Sequence, residues 1–453
     1  MKLFVPEPDI TLYETSFEGT DLLNRKGQAE HLTNLVQNIT DPMVIALDGQ
    51  WGSGKTVFLK CWVGELATKH TETIQPIYFD VFEHDYMNDP LIALIGAIDE
   101  RLPKGQDNKT WQTIKNAAPR LARTAVRVGL AAATAGATEI TGIIADAAVN
   151  KASSTADEHI SSFWEQEEQK QESLKSFKQA IRELASEQKL VIVIDELDRC
   201  RPDFALSTLE IVKHLFNVPN VHFVFGVNLE PLGAMAENQY GGGIDGLRYL
   251  EKFFSHKWKL NNIGTSIAFD TSSDVAAYVR QVCKRMEMFN DLTNAIENTF
   301  CAFAKDRVIS LREINKFITE LALIYSTGNT GLGPFRSLDY MKIVCCVVKH
   351  FEPKLFPDLD NPELVFPKIV RLFNCVVNEQ DDQGRETRGK QMLFDICSYY
   401  LSPKDFKNYR SFEWYPYDID PSAGPGEYYY PTNYFKRNIL SKVSEIPITR
   451  FDE

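Results

Sequence analysis

The 453-residue chain contains eight cysteines but no C-x-x-C pair: they stand at Cys61, Cys200, Cys283, Cys301, Cys345, Cys346, Cys375 and Cys397. Its eight histidines do not bracket them at zinc spacing, which excludes the common structural zinc modules. Most of the cysteines fall within apolar patterns. Small buried side chains in a reducing cytoplasm are therefore expected, rather than a disulfide framework. An excess of positive charge is missing too. Lys and Arg total 49 against 62 Asp and Glu, a formal net charge of −13. That argues against a broad, non-specific DNA-binding surface and leaves only a local basic groove open.

Long apolar runs are also absent. The nearest approach is an Ala/Gly-rich segment from Val128 to Val149, whose uncharged run stops at Glu139 and is broken again by Asp146. A spanning helix needs about 20 mainly apolar residues, and an acidic side chain near its centre costs about 2.5–3.5 kcal/mol. A close-packed helix or helical hairpin is expected there, with membrane contact as the alternative. The opening Met1-Lys2-Leu3-Phe4-Val5-Pro6 has no apolar core of the secretory type, so no signal peptide is expected. What remains, 44 % hydrophobic and 25 % charged residues, suits a globular protein of two or three domains.

Against this background one local pattern stands out. Gly49-Gln50-Trp51-Gly52-Ser53-Gly54-Lys55-Thr56 follows the apolar run Met43 to Leu47 by one residue. Glycines allow a tight turn whose N–H groups face inward on a polyphosphate, and the helix beginning near Lys55 adds its positive end. Lys55 can reach the β and γ phosphates, and the Thr56 hydroxyl can ligate Mg²⁺. This is a P-loop, with the apolar-faced helix after it that the motif requires.

A second pattern completes the site. Leu190 to Ile194 is a continuous, largely β-branched run, as in a strand covered on both faces, and it ends in Asp195-Glu196-Leu197-Asp198-Arg199. Asp195 occupies the Walker B position, where a carboxylate holds Mg²⁺. Glu196 is placed to polarise an attacking water. A third strand, Val221 to Val227, ends at Asn228, which either contacts the γ-phosphate as a sensor or merely terminates the strand.

Lys55 and Asp195 are 140 residues apart, more than one or two strand–helix units need, so an insertion is expected. Ile74 to Val81 reads as another core strand, with an apolar helix from Leu91 to Ile98 after Pro90. Asp157 to Lys189 reads as an amphipathic helical stretch leading into the Walker B strand.

With these motifs in place, the chain resembles the KAP family of P-loop NTPases over roughly residues 15 to 350. The Trp within the phosphate loop and Asp195 to Pro202 are similar to the family's forms, although the family often carries two aspartates before the leucine. Tyr249 to Phe254, Leu311 to Phe317 and Asp21-Leu22-Leu23-Asn24-Arg25 are similar to further family segments. The resemblance implies a parallel-sheet core in which an acidic residue beside the Walker B aspartate activates water, followed by a helical subdomain. Many members carry transmembrane helices between the two nucleotide motifs, and bacterial members are often suspected of roles in defence.

The expected architecture is therefore α/β: a P-loop NTPase core with a mainly parallel sheet over residues 1–265, with a helical insertion at about 90–187. A helical subdomain follows at 266–350, then a helical and aromatic-rich region at 351–453. Helical segments are expected around 367–377 and 391–401. Aromatics near 412–417 and 428–431 are interleaved with acidic residues, which favours packing on protein over stacking on bases.

The expected function is an ATPase acting as a conformational or assembly switch. Lys55 and the loop from Gly49 to Thr56 bind phosphate, Thr56 and Asp195 hold Mg²⁺, Glu196 orients water and Asn228 senses the γ-phosphate. Arg312 and Arg199 are candidates to lean onto the nucleotide, from the following domain or toward a neighbouring subunit. ATP is preferred to GTP because no Asn-Lys-x-Asp motif occurs: Asn315-Lys316-Phe317-Ile318 lacks the Asp, as do the pairs at Asn108 and Asn150. A protein partner or homo-oligomer is expected. A P-loop kinase is disfavoured by the acid after Asp195; a nucleotide-gated interaction module with negligible turnover is the alternative.

Overall fold

The computed structural model describes residues 2–101, 112–118, 156–260, 271–327, 336–373 and 443, apart from 88, 242, 305, 306 and 308. The Ala/Gly-rich segment 128–149, the expected helix at 391–401 and the aromatic stretches at 412–417 and 428–431 lie outside the described residues. The chain forms two compact units, one from Asp9 to Leu260 and one combining Met1–Pro8 with Asn261–Glu453.

The first unit is built on five strands: β1 (Met43–Asp48), β2 (Ile74–Asp80), β3 (Lys189–Asp195), β4 (Val221–Val227) and β5 (His256–Lys259). All neighbours pair parallel, in the order β2-β3-β4-β1-β5. Alternation along the strands explains the two covered faces. Leu190, Ile192 and Ile194 of β3, with Val221, Phe223, Phe225 and Val227 of β4, pack against one helical layer. That layer includes Pro90–Arg101, the C-terminal part of Ala156–Glu187, Pro202–Leu215 and Leu229–Tyr240. Val191, Val193 and Val224 face the other way, onto α1 (Lys26–Asn38) and α2 (Lys55–Lys69). Successive side chains of a strand point to opposite faces, so a continuous apolar run is what a doubly covered strand requires.

The four expected strands are present. The fifth, β5, carries the residues His-Lys-Trp-Lys and, among the described residues, pairs only with β1. Its mostly exposed side chains give no hydrophobic run, as is common on an edge strand. The helix expected at 91–98 extends over Pro90–Arg101, and the charged stretch expected from Asp157 forms Ala156–Glu187. Among the described residues, no helix is long and apolar enough to cross a membrane.

The described residues of the second unit form helices at Thr271–Arg285, Asn290–Ala304, Leu311–Thr327, Arg336–Phe351 and Pro362–Leu372. The last begins five residues before the expected start at Pro367, because Pro362 supplies a first helical residue whose missing N–H costs nothing there. Aromatic rings cluster in its core, where Phe300 lies 5.2 Å from Phe317, 5.7 Å from Phe351 and 6.0 Å from Phe303 between ring centroids. Six cysteines are described, none of them in a disulfide, and five are buried.

Candidate functional site

The strand order decides where the motifs meet. β4 lies between β1, which leads into the P-loop, and β3, which ends at Asp195. Parallel pairing brings their carboxyl ends to one edge, where open α/β sheets bind ligands. At that edge the Gly49 N–H donates to the Val227 carbonyl at 3.1 Å, tying the loop's start to the end of β4.

The loop itself needs its glycines. Gly52 and Gly54 have φ of 77° and 85°, in the left-handed region that side chains disfavour. Gly54 is also the residue from which α2 starts, so the helix's free N–H groups open into the loop. From behind, buried Arg25 donates through Nη1 to the Ser53 carbonyl at 2.9 Å. Arg25 is aimed by Asp21, whose carboxylate accepts from the N–H groups of Arg25 and Lys26 at 2.8 Å each.

Lys55 is buried, and its ammonium donates to the Gly49 carbonyl at 2.5 Å and the Gln50 carbonyl at 3.2 Å. Burial pulls its pKa below the ordinary lysine value, while Asp198, Asp195 and Asp48 pull it back up. The Ser53 hydroxyl is buried without a hydrogen-bond partner. A lysine folded onto its own loop and an orphaned hydroxyl suit a cradle that receives an oxyanion.

Asp195 is 1 % exposed. The Tyr78 hydroxyl donates to its Oδ2 and the Glu196 N–H to its Oδ1, both at 2.9 Å. Burial raises its pKa, and hydrogen bonds from Thr56, Tyr78 and the Glu196 N–H act against the rise. Gly226, paired with Asp195 in the sheet, leaves the room this needs. A Cβ there would stand 2.5 Å from Asp195 Oδ1 and 2.5 Å from Leu59 Cδ1.

Glu196 occupies the left-handed region at φ 62°, which turns the chain sharply off β3. The Thr56 hydroxyl donates to its Oε1 at 3.5 Å, and Arg199 Nη1 pairs with its Oε2 at 2.8 Å. Burial raises the Glu196 pKa, with Arg199 opposing. Asp198 is buried and accepts from the Trp51 indole N–H at 2.5 Å. Trp51 itself remains 47 % exposed at the lip of the loop.

Asn228 precedes the helix Leu229–Tyr240 at the end of β4; its carbonyl accepts from the Leu232 N–H, and its side chain makes no capping bond. Gln50 is exposed on the loop. Thus Thr56, Asp195, Glu196 and Arg199 are linked around one edge, and Lys55 precedes Thr56 at the start of α2. Arg312 belongs to the second unit, exposed in the first turn of Leu311–Thr327. Arg25, Tyr78 and the buried Asp198 were not singled out as site residues by sequence patterns. The unusual Trp in the loop is the one local hint to the Asp198 contact.

Thr56 and Asp195 offer two hard oxygen donors, one a desolvated carboxylate whose charge a cation would relieve. No group of three or more His, Cys, Asp or Glu among the described residues forms an all-protein metal cage. Mg²⁺ suits such a site because it takes one or two protein oxygens and completes its shell with phosphate and water.

A parallel sheet with a phosphate loop after β1, and paired acids after a strand once removed, defines a P-loop NTPase fold. The chain belongs to the KAP family: the family's P-loop domain matches residues 25–327. The fold class expected from sequence is thereby met, and nucleotide binding is the family's property. No curated protein matches the chain. Among solved structures, it is similar to the ORC2 protein of Aeropyrum pernix in its ADP form. Identity is 14 %, over 85 % of this chain and 84 % of that one, with a TM-score of 0.36. The ADPNP–ADP complexes of the same protein give 12 % identity, 86 % and 96 % coverage, and a TM-score of 0.33.

Proposed function

We propose that this protein binds ATP with Mg²⁺ and hydrolyses it as a conformational or assembly switch. The observation that carries the reading is the meeting of Thr56, Asp195 and Glu196 at one sheet edge beside Lys55. On this reading Lys55 leaves the Gly49 and Gln50 carbonyls for phosphate, and the N–H groups of the loop bind the remaining oxygens. Thr56 and Asp195 would hold Mg²⁺, which would supply charge neutralisation on the phosphates. Thr56 then turns from Glu196, whose freed Oε1 orients and deprotonates the attacking water. Asn228 contacts the γ-phosphate or the water, and Arg312 reports nucleotide state to the helical unit. A setting in bacterial defence or signalling, with a protein partner or second copy as target, follows from the family resemblance; copurification checks it.

A second reading has its own support. Arg199 engages Glu196 at 2.8 Å, which leaves the base half occupied. A chain held in this way would bind ATP and present a surface without turning over until a partner draws Arg199 away. Phosphate release by wild type, Glu196→Gln and Lys55→Ala separates the readings. The switch predicts turnover by wild type, a loss of about 100-fold or more in Glu196→Gln with binding kept, and no binding by Lys55→Ala. Binding without turnover by wild type supports the gated module; absence of ATP binding defeats both.

A further inference from the structure

We propose that Tyr78 is a positioning residue that sets the Mg²⁺ affinity of the site by fixing the rotamer of Asp195; this rests on the nucleotide-binding reading above. Three features define the frame around that carboxylate. The Tyr78 hydroxyl holds Oδ2 and the Glu196 N–H holds Oδ1, each at 2.9 Å. On the Oδ1 side the Cβ-less Gly226 lets β4 approach so closely that a methyl group would stand 2.5 Å away. Both oxygens are therefore anchored, and the plane of the carboxylate is set before any cation arrives. A hard octahedral ion is demanding about ligand direction, so an anchored carboxylate gains affinity that a rotating one loses.

The geometry also explains how Tyr78 reaches across. β2 and β3 pair with Tyr78 opposite Val193, two residues before Asp195. Tyr78 and Val193 belong to the same apolar face, the one covered by α2. From there the ring is long enough to pass Val193 and present its hydroxyl at the strand end. The backbone of Tyr78 is pinned in turn, because its N–H donates to the Tyr13 hydroxyl at 3.0 Å. Phenylalanine would fill the same space and provide no donor.

The test is a Mg²⁺ titration of fluorescent ATP-analogue binding, with a parallel measurement in EDTA, on the full chain. Compared are wild type, Tyr78→Phe, Asp195→Asn and the double variant. Tyr78→Phe is expected to bind metal-free nucleotide like wild type but to need about tenfold more Mg²⁺ or higher for half-saturation. In the Asp195→Asn background it is expected to add nothing, since the two act through one carboxylate. An unchanged Mg²⁺ requirement overturns the proposal. So does an equal loss in EDTA, which marks a packing role, or a full additional loss beside Asp195→Asn. Should Tyr78→Phe fail to fold, Tyr78→Met removes the same hydroxyl and takes its place. Wild type that binds ATP with no Mg²⁺ dependence defeats the metal site itself, whereas Mg²⁺-dependent wild type with an indifferent Tyr78→Phe defeats only the role of Tyr78.

Discussion

Arg199 and His222 show how single residues tune this unit. Burial holds Glu196 above the ordinary glutamate pKa, and the Arg199 guanidinium restrains the rise. If Glu196 acts as base, activity falls as pH drops through its pKa. Arg199→Ala is therefore expected to move the acid limb of the kcat–pH profile to higher pH. An unmoved or lower limb would separate Arg199 from the function of Glu196. His222 lies wholly buried in β4, where burial and then Lys189 lower its pKa to about 4. An unfolded histidine titrates near 6.5, so between about pH 6.5 and 4 the unfolded chain binds more protons. Stability should therefore rise with pH across that window, by roughly 3 kcal/mol at most. Urea unfolding at pH 4.5 and 7.5 should show a smaller difference in His222→Leu than in wild type.

At the scale of elements, close approach and capping decide what is tolerated. Gly226→Ala drives a methyl into Asp195 Oδ1 and Leu59. It is expected to cost about 1–3 kcal/mol, the usual range for overpacking, read by urea unfolding. Lys189 opens β3 while its ammonium caps the end of α1, donating to the carbonyls of Val36 at 3.1 Å, Gln37 at 2.8 Å and Ile39 at 2.5 Å. A cation at a helix C-terminus satisfies orphan carbonyls and opposes the dipole. Lys189→Met is expected to lower stability by about 1.5–3 kcal/mol, as for hydrogen bonds to a charged group. β1 to β4 were legible because each is an apolar run. β5 was not, because its residues become a strand only when β1 offers an edge.

For the molecule as a whole, the division into two units has a direct consequence. The unit Asp9–Leu260 holds the entire sheet, both of its helical layers and every candidate nucleotide contact except Arg312. Expressed alone, it is expected to melt cooperatively and to be stabilised by Mg·ATP by about 2.7 kcal/mol at a hundredfold excess over Kd. A fragment that melts without cooperativity, or that ATP leaves unmoved, would show that the second unit is needed for the fold or for binding.

The phosphate loop, the Walker B acids and the parallel α/β core follow from the sequence itself. Each depends on short-range chemistry: glycines that permit positive φ, a helix start, and apolar runs that end in carboxylates. Tertiary structure alone decided the partners of those groups. Tyr78 meets Asp195 across 117 residues and Trp51 meets Asp198 across 147. Arg25 reaches the loop from 28 residues upstream. Such pairs exist only once strands lie in register and helices cover both faces. Local sequence does not fix them, because a polar group that tertiary packing buries is costly unless the same packing brings it a partner.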